Sequence, residues 1–300
     1  MSGSIQERKR LMLRIARNIL IADGVLLLLL CTLAFSEAMK EPMSDPDPDL
    51  KRHDPARKLV RSVIQNELKE QDKDKSHFMY VDRLKQPGGE KVSEVVESNV
   101  LDLKLLIARD GQPLSPEERE KQILRLQKLI SDPAEQEKER RNQDEDAAKA
   151  KRMLKTIPEA FLFKFERVNG DLTTLSALPD PGYIPSTREE TVFHAIGGTI
   201  TLNTREKRLV ELRGELLQDV KFGFGILADL QRGGRILVQQ VEVAPRIWRL
   251  SELDVEITGR ALFFKSIGTQ QDEHMSDFRR LPKSVPLPVA FDLLRAVNKE

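Results

Sequence analysis

The chain has 300 residues, 39% of them hydrophobic, which is enough to bury the core of one large domain or two ordinary ones. Its charged fraction of 32% exceeds the usual quarter, so some segments are strongly solvated. A formal net charge of +1 leaves no bulk electrostatic drive toward nucleic acid or an anionic membrane.

Residues 1–38 read as a secretory signal peptide. Arg8, Lys9, Arg10, Arg14 and Arg17 precede the apolar run "GVLLLLLCTLAF", and Ser36-Glu37-Ala38 places small residues where signal peptidase reads them. Asp23 cuts the uninterrupted apolar stretch to about a dozen residues, roughly half of a bilayer span. An uncleaved anchor and a lipid-modified Cys31 are the alternatives. Cleavage after Ala38 removes those five basic residues with Glu7, Asp23 and Glu37, taking the net charge from +1 to −1. It also removes the single cysteine, so the exported chain relies on its core without a disulfide or a thiolate metal site. The expected location is therefore the periplasm or the exterior.

Residues 39–53, dense in Pro and Asp, read as a flexible tether, and residues 54–300 as one domain. Asp54-Pro55 opens an amphipathic helix to about Glu70, with Leu59, Val63 and Asn66 or Glu67 on one side. "SHFMYVDRLK", "EKVSEVVES" and "LDLKLLIARDGQPL" then predict three strands in an antiparallel meander, with Asp110-Gly111 at a turn. Ser115-Pro116-Glu117-Glu118 and Asp132-Pro133-Ala134-Glu135 each start a helix. The charged section 115–155 that follows is a solvated face or, alternatively, a surface for a protein partner.

Beyond Thr156 the pattern is β for about 120 residues, in segments a dozen residues apart, which favours antiparallel pairing. "FLFKF", "TVFHAIGGTITLN", "KRLVELRGELL", "GRILVQQVEVA", "RIWRLSELDVEIT" and "ALFFKSIGTQQ" supply strands, and "PLPVAFDLLRAVNKE" a terminal helix. In "VKFGFGIL", Val220, Phe222, Phe224 and Ile226 share one face of an extended chain while Gly223 and Gly225 leave the other nearly bare. The expectation is an α+β fold of ten or eleven strands, dominated by one large curved antiparallel sheet.

The familiar catalytic patterns are absent from the sequence: it has no Gly-x-Ser-x-Gly elbow, no Walker loop and no His-Glu-x-x-His helix. His53, His77, His194 and His274 fall in different elements, without metal-ligand spacing. Gly197-Gly198 and Gly233-Gly234 do not open helices after strands and read as bends or turns rather than phosphate cradles. Glu252, Asp254 and Glu256 alternate with apolar residues and read as a solvent-facing acidic stripe. No cofactor and no metal is expected.

An exported chain with a leading helix, a meander ending in "LKLLIARDGQPL", helices and a strand run that includes "GGTITLNTREKRLVELRGEL" resembles the LolA/RseB-type superfamily of periplasmic proteins. It is also similar to a secreted bacterial family sharing "DVKFGFGIL", "EVAP" and "GRALFFK", for which the resemblance implies no activity. The first resemblance implies an unclosed half-barrel with helices on its concave side and an apolar cavity for acyl chains. The expected function is then a non-enzymatic envelope protein binding a lipid or lipidated polypeptide, as in lipoprotein sorting. Phe161, Phe163, Phe165, Phe222, Phe224 and Trp248 are the candidate cavity residues. The alternative is an envelope scaffold or sensor that meets a protein partner through helices 115–155.

Overall fold

Helix α1 (Pro55–Lys73) begins as expected, with the Asp54 side chain accepting from the Ala56 amide at 2.8 Å and Pro55 in the first turn. The computed structural model describes residues 54–222, 228–261 and 265–297. The signal segment, the tether and Phe224 lie outside them. After α1 come β1 (Phe78–Gln86), β2 (Gly89–Val96), β3 (Leu103–Arg109) and the short β4 (Gln112–Pro113). Helices α2 (Pro116–Ser131) and α3 (Pro133–Ala160) follow, α2 opening on a complete capping box between Ser115 and Glu118. The remainder is β5 (Phe161–Asn169), β6 (Leu172–Pro179), the short α4 (Arg188–Phe193), β7 (Ile196–Asn203), β8 (Arg208–Leu216), β9 (Val220–Phe222), β10 (Ala228–Leu230), β11 (Arg235–Ala244), β12 (Ile247–Ala261), β13 (Lys265–Arg280) and α5 (Leu287–Ala296).

All thirteen strands join one antiparallel sheet, in the order β4-β3-β2-β1-β13-β12-β11-β8-β7-β6-β5, with β9 and β10 branching from β12. This corrects the half-barrel. The sheet is flat and unclosed, and its end strands β4 and β5 do not pair. The helices also fail to share one concave side. Following the registers strand by strand, Leu175, Ile200, Leu212, Val238, Leu253, Met275, Tyr80 and Val95 fall on one face, and Met79, Val96, Leu103 and Leu105 on the other. Helices α1 and α3 cover the first face at the β5–β8 end, while α2 and α5 cover the second at the β1–β3 end. Element order shows that strands pair in antiparallel fashion. It does not show which face each helix meets, and this distribution removes the concavity.

Three arginine–carboxylate pairs, two of them fully buried, fasten α1 to the sheet and to the loop after β6. Near its start, Arg57 Nη2 meets Asp180 Oδ2 at 3.0 Å and Nη1 donates to the Pro158 carbonyl at 2.8 Å. In the middle, Glu67 meets Arg208 of β8 at 2.9 Å and accepts from the Leu209 amide at 2.7 Å. At its C-cap, Asp74 meets Arg249 of β12 at 2.7 Å, and that guanidinium lies 4.8 Å from the Phe78 ring centre. Burial raises the Glu67 carboxyl above its ordinary range although Arg208 opposes the shift. For Asp74, burial is the largest influence and also acts upward, but the Arg249 charge and the Ser76 hydrogen bonds together hold it below.

Breaking such a pair leaves the other charge stranded. Arg208→Met is expected to destabilise the protein by about 3–5 kcal/mol in urea unfolding, because Glu67 then stays buried without its counter-ion. On the second face Asp254 stands opposite Asp272, and burial followed by the Asp272 charge raises its pKa. Asp254→Asn should therefore stabilise the sheet by less than about 1 kcal/mol at neutral pH. That gain should vanish in acid, where the wild-type carboxyl is already protonated.

Candidate functional site

The candidate site is an apolar cleft on the first face, between the end of α3 and strands β5 to β8. Its floor follows one cross-strand row, in which Phe163 pairs with Ala177, Ala177 with Gly198, and Gly198 with Gly214. Small residues leave a trough there. Gly198 is required by the backbone, since a Cβ on it would lie 2.0 Å from the Arg213 carbonyl oxygen. Phe161, Ile196 and Phe193 of α4 wall one side, Ile200 and Leu212 the other, and Ile157 of α3 closes over it. The space measures about 330 Å³ counted out to its open mouth.

The phenylalanines are set by packing as well as by strand alternation. Phe161 stands edge-on to Phe193 at 5.1 Å between ring centres and 6.5 Å from Phe163. They are 5% and 8% exposed, and both belong to the cluster of Val60, Ile64, Leu154 and Ile157. They are thus core residues that also present a surface to the cleft.

A polar group adjoins the Phe161 wall. The His194 ring packs against Tyr183 at 5.3 Å, and its Nε2 lies 2.9 Å from the Asp180 carbonyl oxygen. Tyr183 donates to Glu190 at 3.0 Å, and Glu190 also accepts from the Ser186 amide at 2.7 Å and hydroxyl at 2.8 Å. The Ser186 bonds hold the Glu190 carboxyl below its ordinary range, whereas burial and then the Glu190 bond raise the Tyr183 phenol. Ser186 and His194 are engaged with separate partners, so the pair is not arranged as nucleophile and base. Among the described residues no group of three His, Cys, Asp or Glu side chains forms a metal site.

The six candidate aromatics do not converge. Phe161 and Phe163 line the cleft. Phe165, on the same strand, is 45% exposed and lies outside the lining. Phe222 packs beside Val220 and Leu230 under a separate cluster. Trp248 is buried near the β7–β8 turn, where its Nε1 donates to Glu206 at 3.0 Å. Of "VKFGFGIL", Val220 is buried in the β9–β10 corner, and residues 223–227 lie outside the described segments.

Ala177, Gly198, Gly214 and Phe193 escaped the sequence reading. Gly197-Gly198 read as strand bends or turns; the turn around Thr204-Arg205-Glu206 alone would set Gly198 opposite Arg213, and a bulge between Thr201 and Leu202 moves it opposite Gly214. The charged helices largely satisfy themselves. Arg140 bridges Glu137 and Asp144, and Lys121 meets Glu117, while Leu126, Ala147, Ala150 and Leu154 are buried. Comparison with protein-family models, with curated proteins and with solved structures returned no match.

The difference between core and margin along β5 is measurable. Phe161→Ala is expected to cost about 3–5 kcal/mol in urea unfolding and Phe165→Ala less than about 1 kcal/mol. Equal losses would contradict the burial pattern.

Proposed function

We propose that the protein is an exported, non-enzymatic envelope protein that seats the end of an acyl chain, free or carried by a polypeptide, in the cleft above Ala177 and Gly198. The observation that carries this reading is an apolar cleft walled by Ile157, Phe161, Phe163, Phe193, Ile200 and Leu212, with the small residues Ala177 and Gly198 in its lining. Such a lining offers an alkyl chain contact without asking for a hydrogen bond. The signal-like N-terminus supports the envelope location.

Size sets the expected mode of binding. The enclosed part of the cleft is about 30 Å³, far below the roughly 300 to 1,000 Å³ of pockets that hold a whole ligand. Seating one or two methylenes at about 0.8 kcal/mol each contributes about 1–2 kcal/mol before the losses of association. The cleft therefore suits capture and release of a chain end rather than storage of a whole lipid.

A fluorescent fatty-acid probe tests this with the protein purified from its host envelope. The wild type is expected to shield the probe from water only at millimolar concentrations, and Ala177→Leu, which fills the trough, to weaken shielding about tenfold. The unfolding midpoint of that variant reports whether the fold survives. Absence of shielding by a folded wild type, or equal shielding by the folded variant, removes the cleft as the site.

A further inference from the structure

A second cluster sits on the same face at the opposite end of the sheet, where β1 meets β13. The register pairs Asp82 with Met275 and Leu84 with Glu273, so the Asp82 and Glu273 carboxyl groups are diagonal neighbours on that face. Both residues are buried, and Asp82 Oδ1 has no hydrogen-bond partner among the described residues. Lys104 reaches across β2 from β3 to pair with Asp82, and Gln271 Nε2 donates to Glu273 at 2.8 Å. Ser93 of β2 stands beside Asp82 and Leu253 of β12 beside Glu273, and neither titrates, while Tyr80 of β1 and the exposed Lys91 of β2, opposite Leu84, share this face. Arg83 and Lys85 of β1, Asp272 and His274 of β13, and Glu94 of β2 alternate to the other face.

Two buried carboxyl groups against one ammonium group leave the cluster one positive charge short, and a proton is the simplest species that restores balance in so small a space. We propose that Asp82 and Glu273 form a proton-binding site whose shared proton latches β1 to β13, and that its loss in alkaline solution loosens this seam. Among the described residues the seam is the one ladder joining the β1–β4 meander to the rest of the sheet. Its opening would free the meander, with α2 and α5 packed on it, from the half that holds the cleft.

The direction of the effect follows from the environment of Glu273. Burial, and then the Asp82 charge, push its carboxyl up from 4.5 to about 8, against the pull of Lys104. A folded-state pKa above the unfolded one stabilises fully below pH 4.5, weakens as pH rises through the interval, and contributes nothing above about 8. Within the interval one proton changes the folding constant about tenfold per pH unit. Glu67 and Glu94 are also raised, each chiefly by burial, and add slopes of their own. The informative quantity is therefore the difference between wild type and a variant at this site.

Hydrogen exchange on the full chain, corrected for intrinsic rates and compared at about pH 7 and about pH 9.5, reads the latch directly. Wild-type β1 and β13 amides are expected to lose about tenfold or more protection at the higher pH, and Glu273→Gln to retain it, since an amide cannot ionise. Equal losses in wild type and folded Glu273→Gln overturn the proposal. Should Glu273→Gln not fold, carboxyl carbon NMR of wild type and Asp82→Asn decides. A glutamate titrating near 8 whose midpoint falls once the Asp82 charge is removed supports the shared proton, and the absence of any such glutamate overturns it.

Discussion

Helix α1 is held by electrostatics at three depths, and the layout of the sheet depends on those contacts. Its apolar stripe is modest, with Ala56, Val60, Val63 and Ile64 as its buried apolar residues. The Arg57–Asp180, Glu67–Arg208 and Asp74–Arg249 pairs add direction that hydrophobic contact lacks. A greasy stripe slides at little cost. An ion pair removed from water does not, because each misplaced charge retains its desolvation penalty, and the Glu67–Arg208 pair is also bidentate. Together the pairs link α1 to the loop after β6, to β8 and to β12, elements far apart in sequence.

Arg57 has a second role. Helix α3 ends without a basic residue in its last turn, and the Arg57 guanidinium donates to the Pro158 and Glu159 carbonyls there. The chain turns directly from that capped end into Phe161. The position of the first cleft phenylalanine is thus set by an arginine a hundred residues earlier, and the cleft is a consequence of how α1 is anchored.

The two features on the first face lie apart. At the β5–β8 end this face is packed by helices over the apolar cleft, and near β1 and β13 it carries buried ionisable groups. Among the described residues the second face is covered at the β1–β3 end, and over β12 and β13 it presents Glu252, Asp254, Asp272 and His274 to solvent or partial solvent. The apolar cleft and the buried carboxyl pair thereby occupy different parts of one continuous sheet.

Local chemistry made much of the fold legible. Capping residues with proline marked the starts of α1, α2 and α3, Asp110-Gly111 marked a turn at positive φ, and alternation marked most strands. Strands β6 and β10 and the second half of β13 escaped, and residues 191–193, expected to open a strand, instead close the six-residue α4, too short for a helical period to show. At the site, Phe161 and Phe163 were readable from alternation, but the same signal gave Phe165, Phe222 and Trp248 equal standing. By itself the sequence determined which residues could be buried, because burial preference and period belong to each segment. Only the tertiary structure decided which face each helix covers, that the sheet stays open, and that Phe163, Ala177 and Gly198 align in one cross-strand row. Those outcomes depend on strand register and on ion pairs between residues about 120 to 175 positions apart, which no local pattern encodes.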